Sequence, residues 1–266
     1  MLALTLLLPL LGLVSAAPAL NKRYNVEIIS QCTNSGQVAL TFDDGPYIYE
    51  ANVTADLNGG KGTFFLNGNN YVCIYDKWQE IQALHAAGHT IGSHTWTHAD
   101  LTTLSIDGIN SELEQVEVAF QKILGLKPLY FRPPYGNLND NVLSVLDQRG
   151  YKSKIPSRSP WGEPDQSMLT EAFLWSDDTE DADGATVSYS ENILDGVIKD
   201  YPNPHLVLDH STIETTSTTV LPYAVPKLQA AGYDLVAVDT CLGSNGEYPY
   251  VYLSEPGTPD DTWTCS

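Results

Sequence analysis

The chain has 266 residues, with 13 Lys and Arg against 33 Asp and Glu, giving a formal charge of −20. That balance argues against nucleic acid and anionic membrane surfaces as partners, because both are bound through clustered Lys and Arg. With 42% hydrophobic and 10% aromatic residues, the chain is too apolar for disorder and can bury a real core.

Leu2 to Val14 is an apolar run of 13 residues, shorter than the about 20 needed to cross a bilayer. Ser15-Ala16-Ala17 follows, so residues 1–17 read as a cleaved secretory signal. Lys22-Arg23 is a dibasic pair at which residues 18–23 could be trimmed as a pro-segment. No later segment reads as a membrane helix, so a soluble, secreted protein is expected. Asn52-Val53-Thr54 is an N-glycosylation sequon, which fits that compartment.

From residue 37 onward, short apolar runs alternate with helical patterns. In chain order, strands are expected over 38–42 and 62–66, then a helix over 78–87, a strand over 90–93 and a helix over 105–124. A strand over 129–132 and helices over 139–149 and 190–199 come next, then a strand over 206–209, a helix over 222–231 and a strand over 234–238. The strongest helix carries Ile109, Leu113, Val116, Phe120 and Ile123 on one face and ends at Gly125 as a C-cap. Repeated strand–helix units predict an α/β fold with a parallel sheet. About seven such units in this length favour a single-domain barrel over residues 24–242.

Residues 243–266, rich in Gly, Pro, Ser and Asp, read as an extended tail without a core of its own. Cys32, Cys73, Cys241 and Cys265, none in a CxxC pair, fit two disulfides with three connectivities open. Cys32–Cys241 would join the chain ahead of the first strand to the end of the last, and Cys73–Cys265 would then pin the tail.

Polar residues gather where the expected strands end. In Thr41-Phe42-Asp43-Asp44-Gly45-Pro46 two adjacent carboxylates repel one another, which a metal ion or a catalytic task would justify. A turn in which Asp44 caps the next helix is the plainer alternative. Ser93-His94-Thr95-Trp96-Thr97-His98 sets two histidines at i and i+4, on one face if the segment is helical, a spacing suited to one metal ion. With Asp44 they form an N,N,O set that leaves coordination positions open. Three protein ligands suit a catalytic ion, and Zn2+, or Co2+, fits the donors.

Phe131-Arg132-Pro133-Pro134-Tyr135-Gly136 is a stiff loop whose prolines aim the Tyr135 amide as an oxyanion donor. Leu206-Val207-Leu208-Asp209-His210 ends a later strand in another histidine, and Trp175-Ser176-Asp177-Asp178-Thr179-Glu180-Asp181 is an acidic run. No GxSxG elbow is present, which argues against a serine esterase.

Taken in order, TFDDGP, SHxxxH, RPPYG, the Asp-rich segment and LVLDH resemble the motifs of the polysaccharide deacetylases of carbohydrate esterase family 4, the fungal chitin deacetylases above all. The likeness covers residues 37–238. It implies a distorted (β/α) barrel and metal-dependent removal of acetyl groups from the N-acetylglucosamine units of chitin, by a monomer. By motif position, Asp43 would be the general base, with Asp44, His94 and His98 on the metal. Arg132 would hold Asp43, Tyr135 would supply the oxyanion amide, Leu208 would line the acetyl pocket, and His210 would be the general acid. Asp178 would orient and charge His210. The family carries an aromatic residue just after the second acid of that segment, where this chain has Ala182; Trp175, Trp161 or Tyr189 would then wall the groove. The same site could instead serve acetylated xylan, and a catalytically silent carbohydrate-binding barrel is the reading from another class.

Overall fold

The computed structural model describes residues 26–151, 170–243 and 249–265. The expected signal and pro-segment over 1–23, and Trp161, lie outside the described residues. In chain order the elements are β1 (Val26–Ile29), β2 (Gln37–Asp43), α1 (Glu50–Asp56), β3 (Thr63–Leu66), α2 (Trp78–Ala86), β4 (Thr90–Ser93), α3 (Ile106–Leu124), β5 (Leu126–Pro128) and α4 (Asp140–Arg149). They continue with β6 (Thr170–Phe173), β7 (Asp177–Asp178), α5 (Val187–Lys199), β8 (His205–His210), α6 (Leu221–Ala231), β9 (Asp234–Leu235), α7 (Val238–Cys241) and β10 (Tyr250–Tyr252).

The middle strands form the parallel ladder β4-β3-β2-β8-β7, with β9 also pairing β2. The longest register runs from Val38 opposite His205 to Asp43 opposite His210. Every residue of β2 after Gln37 is buried. A parallel strand covered on both faces reads as a continuous apolar run, which is why this stretch was legible. On one side of the sheet, helices α1, α2, α3, α5 and α6 press Val53, Leu84, Phe120, Leu194 and Leu228 against Leu40, Phe42 and Phe64. On the other, Ala39, Phe65, Tyr130, Phe173 and Leu206 fill the interior.

The sheet closes into a barrel through short contacts. Phe131 bridges Ser93 on one side and Ala172 on the other, with Ser93 N–H donating to Tyr130 O at 2.9 Å and Phe173 N–H to Phe131 O at 2.9 Å. The run from β6 into β7 then turns across to β8, where Ser176 N–H reaches Leu206 O at 2.9 Å. The barrel is distorted where the expected strand over 129–132 shrinks to that one bridging residue. Pro128, Pro133 and Pro134 have no N–H to extend a ladder there. The neighbouring β5 instead pairs antiparallel with β10.

Helix α3 starts one residue after its expected start, because the Ser105 side chain caps it by accepting from Gly108 N–H. Gly125, at φ 71°, ends it as expected. The tail is held by more than its cysteine. Tyr250 is buried with its hydroxyl accepting from Ile91 N–H at 2.6 Å, and Trp263 packs 5.5 Å from the Tyr75 ring and 6.2 Å from Trp78. The disulfides pair Cys32 with Cys241 and Cys73 with Cys265, as expected. No helix among the described residues is long and apolar enough to cross a membrane.

Candidate active site

The carboxyl ends of β2, β4 and β8 meet at one mouth of the barrel, where parallel α/β folds place their chemistry. Asp43 ends β2 directly across from His210, which ends β8, and His94 follows β4. Asp44, His94 and His98 each offer one ligand atom there, and the three atoms lie within 4.8 Å of one another. Asp44 Oδ1 is 3.5 Å from His94 Nε2 and 3.2 Å from His98 Nε2.

This convergence comes from turns, not from the helix that the i, i+4 spacing suggested. Asp44, Thr95 and His98 take φ values of 69°, 72° and 60°, conformations that cost non-Gly residues and persist only when their surroundings enforce them. The enforcement is visible. Trp96, midway between the two histidines in the chain, is buried and fills the space over Gly68, where a Cβ would lie 1.7 Å from its ring. Buried Asn67 ties both turns together, its N–H donating to Gly45 O at 2.7 Å and its side-chain amide to His94 O and Thr95 O.

These residues fit a divalent cation. His94 Nδ1 lies 2.8 Å from Arg132 O, so Nδ1 carries the hydrogen and the Nε2 lone pair is free to ligate. Asp44 Oδ1 is buried without a hydrogen-bond donor among the described residues, an anion that a cation would satisfy. Burial alone would raise the Asp44 carboxyl, yet His94, His98 and His210 hold it down at about 2. Burial and the adjacent His94 push His98 below the ordinary imidazole value. An ionised carboxylate and neutral imidazoles are the forms that bind metal.

Asp43 sits beside this set, its Oδ2 3.7 Å from His94 Nε2. Fully buried Arg132 reaches Asp43 Oδ1 and Thr41 Oγ1 through Nη1, at 2.8 and 2.7 Å, and Leu174 O through Nη2 at 3.1 Å. One carboxylate oxygen is thereby pinned and the other left facing the mouth. The guanidinium also lies 4.4 Å over Phe65 and 5.8 Å from Trp175, which excludes water from the pair and strengthens it.

Across the mouth the expectation needs one correction. The carboxylate on His210 is Asp181, not Asp178. Asp181 Oδ1 lies 2.7 Å from His210 Nδ1, and Oδ2 accepts from His210 N–H at 2.9 Å and from the Thr216 hydroxyl. Asp178 Oδ1 instead accepts from Glu180 N–H at 2.8 Å, closing a local turn. Glu180, at φ 52°, reverses the chain and swings Asp181 back over β8. Burial alone would lower His210, but Asp181, with Asp43 and Asp44, pushes it up to about 9. His210 is therefore an imidazolium at neutral pH, with Nε2–H as its free donor.

The remaining expected residues fall around this mouth with differing exposure. Tyr135 lies in a 3₁₀ turn with φ 59°, its ring edge-on to His98 at 4.7 Å. Leu208 is buried on β8 opposite Thr41. Trp175 is half-buried against Arg132 and Gly136, while Tyr189 is exposed and donates to Glu180 Oε1 at 3.1 Å. Asn52 is exposed on α1. Thr41, Asn67, Asp181 and Thr216 went unnoticed in the sequence as parts of this site.

Comparison with known proteins agrees with the geometry. Residues 30–153 match the polysaccharide deacetylase sequence family. A chitin deacetylase of Pestalotiopsis sp is 36% identical over 96% of this chain and 84% of its own length. The chitin deacetylase of Colletotrichum lindemuthianum is 32% identical over 91% of this chain and 94% of its own. The solved structure of the chitin deacetylase from that fungal pathogen superposes with a TM-score of 0.72 at 29% identity, covering 86% of this chain and 97% of the other.

Proposed function

Because the chain belongs to the polysaccharide deacetylase family, we propose that it hydrolyses the N-acetyl groups of chitin, releasing acetate and leaving glucosamine units. One observation carries this: three ligand atoms converge at the barrel mouth with a pinned carboxylate on one side and a charged imidazole on the other. Asp44, His94 and His98 would hold a divalent ion, with Zn2+ favoured over Co2+ by the two imidazoles and one carboxylate. When bound, such an ion lowers the pKa of water and polarises a carbonyl.

The chain's own residues account for the proton transfers. Asp43 Oδ2 takes the proton of the attacking water while Arg132 keeps Oδ1 in place. The Tyr135 amide, aimed by two prolines, donates to the oxyanion that develops on the acetyl group. Leu208 gives the acetyl methyl an apolar wall, and Trp175 flanks the sugar. His210 delivers its Nε2 proton to the departing amine, with Asp181 holding the ring. An amine leaves poorly unless protonated, so this acid is as necessary as the base.

The same reading makes the protein a secreted monomer. Residues 1–17 are removed as a signal and 18–23 as a pro-segment, and Asn52 is glycosylated. Two disulfides suit an oxidising compartment. Incubating the metal-loaded protein with N-acetylglucosamine oligomers and with acetylated xylan, and measuring acetate, tests the function. Acetate from the chitin oligomers, lost on chelation and restored by Zn2+, is expected; acetate from xylan alone would overturn it.

A further inference from the structure

Asp209 is a buried titratable group that this chemistry does not use. It sits on β8 between Leu208 and His210, opposite Phe42, with no exposure to solvent. Only one of its oxygens has a partner: Oδ1 lies 2.9 Å from Thr179 Oγ1, and buried Oδ2 has none among the described residues. The same Thr179 hydroxyl lies 3.0 Å from Leu208 O.

A hydrogen count decides what this means. A threonine hydroxyl has one hydrogen, and a backbone carbonyl can only accept. Leu208 O also accepts Thr179 N–H at 3.2 Å, but if Asp209 were a carboxylate the hydroxyl would still face two acceptors with one hydrogen, leaving lone pair against lone pair at hydrogen-bond distance. A proton on Asp209 Oδ1 resolves the conflict. The carboxyl then donates to Thr179 Oγ1, whose own hydrogen goes to Leu208 O. The unpartnered Oδ2 becomes a neutral carbonyl oxygen, far cheaper to bury than half of a carboxylate.

We propose that Asp209 is carried as the un-ionised acid, donating its proton to Thr179 Oγ1, so that it adds no negative charge of its own beside His210. Asp209 is thus a positioning residue. It anchors the segment between Asp178 and Asp181 to β8 through Thr179, without adding a second negative charge behind the general acid. Burial and the negative charge of Asp181 push Asp209 up to about 8, against the pull of Thr179 and His210. The charged and titratable groups facing it are Asp178 and Asp181 from the segment after β6, Arg132 from the loop after β5, and His210 on its own strand.

The inference rests on His210 being the acid of the proposed reaction, but its primary readouts need no substrate. In the metal-loaded full chain near neutral pH, the infrared difference between wild type and Asp209→Asn should contain the carbonyl stretch of an un-ionised carboxylic acid. Carboxylate bands in its place would overturn the proposal. Thr179→Val should shift the same acid band to higher frequency, because the donated hydrogen bond is lost; an unmoved band would show that Thr179 is not the acceptor, and the proposal fails.

The stability readout follows from linkage. Between the ordinary carboxyl value and about 8, the native protein keeps a proton that the unfolded chain gives up, so its stability falls as pH rises. The Tm of Asp209→Asn should therefore gain on wild type from about pH 5 to about pH 8, and a pH-independent gap would overturn the proposal. Failure to release acetate from any substrate would sink the proposed function and leave the infrared and Tm results to decide Asp209 by themselves.

Discussion

The two halves of the barrel mouth are built on different principles. On the metal side, Asp44, His94 and His98 are set by strained turns beside Asp43 at the end of β2, and their backing comes from backbone carbonyls, Asn67 and the buried Arg132. On the acid side His210 ends a regular strand with ordinary geometry, and its chemistry is set by the carboxylates around it. Geometry limits the first half and electrostatics the second, so substitutions should fail in different ways.

The largest effects belong to the metal side, and two substitutions separate its parts. His94→Ala should lose both metal and activity, since one of three ligands goes. Asp43→Asn should keep metal bound, because Asp43 is not part of the ligand set, yet lower kcat/KM by about a thousandfold or more, roughly 4 kcal/mol of transition-state stabilisation. Metal content by elemental analysis beside acetate release checks the pair. Full activity in Asp43→Asn would remove the base, and metal lost along with activity would make Asp43 a ligand.

The next effect tests the acid side. Asp181→Asn keeps an acceptor for His210 Nδ1–H but removes the charge that raises the imidazole. The His210 pKa should fall from about 9, and the alkaline limb of kcat/KM should move to lower pH, with a loss of about ten- to a hundredfold at neutral pH. Asp178→Asn should stay within a few-fold of wild type, because Asp178 closes only its own turn. Equal damage from both would restore Asp178 to the role that the sequence first suggested.

What was legible follows from the same contrast. Strands buried on both faces and the stripe of Ile109, Leu113, Val116, Phe120 and Ile123 were plain, since apolar period is a local property. Helix α1 was missed because it buries only Glu50 and Val53 and so has no stripe to detect. The β5–β10 pairing was missed because its partners lie more than a hundred residues apart, and the tail's docking went with it. Within the site, residue types and order identified the ligand set and base, but not how His94 and His98 meet. That depends on left-handed residues between strands, which carry no period. Choosing Asp181 over Asp178 needed the reversal at Glu180.

The smallest effect should also be the most telling, because its sign opposes that of Asp181→Asn. Thr216 is fully buried, and its hydroxyl donates to Asp181 Oδ2. A donor on a carboxylate draws off part of its charge. In Thr216→Val that donor is gone, Oδ2 keeps only His210 N–H, and more of the Asp181 charge falls on the imidazole. The His210 pKa should rise, so the alkaline limb should move to higher pH by under about one unit. A more basic imidazolium gives up its proton less readily, so kcat should fall a few-fold. Losing a hydrogen bond to a charged group should also cost about 1.5–3 kcal/mol of stability. A limb that moves down, as in Asp181→Asn, would mean that Thr216 positions Asp181 rather than sharing its charge, and the acid side would then be limited by geometry after all.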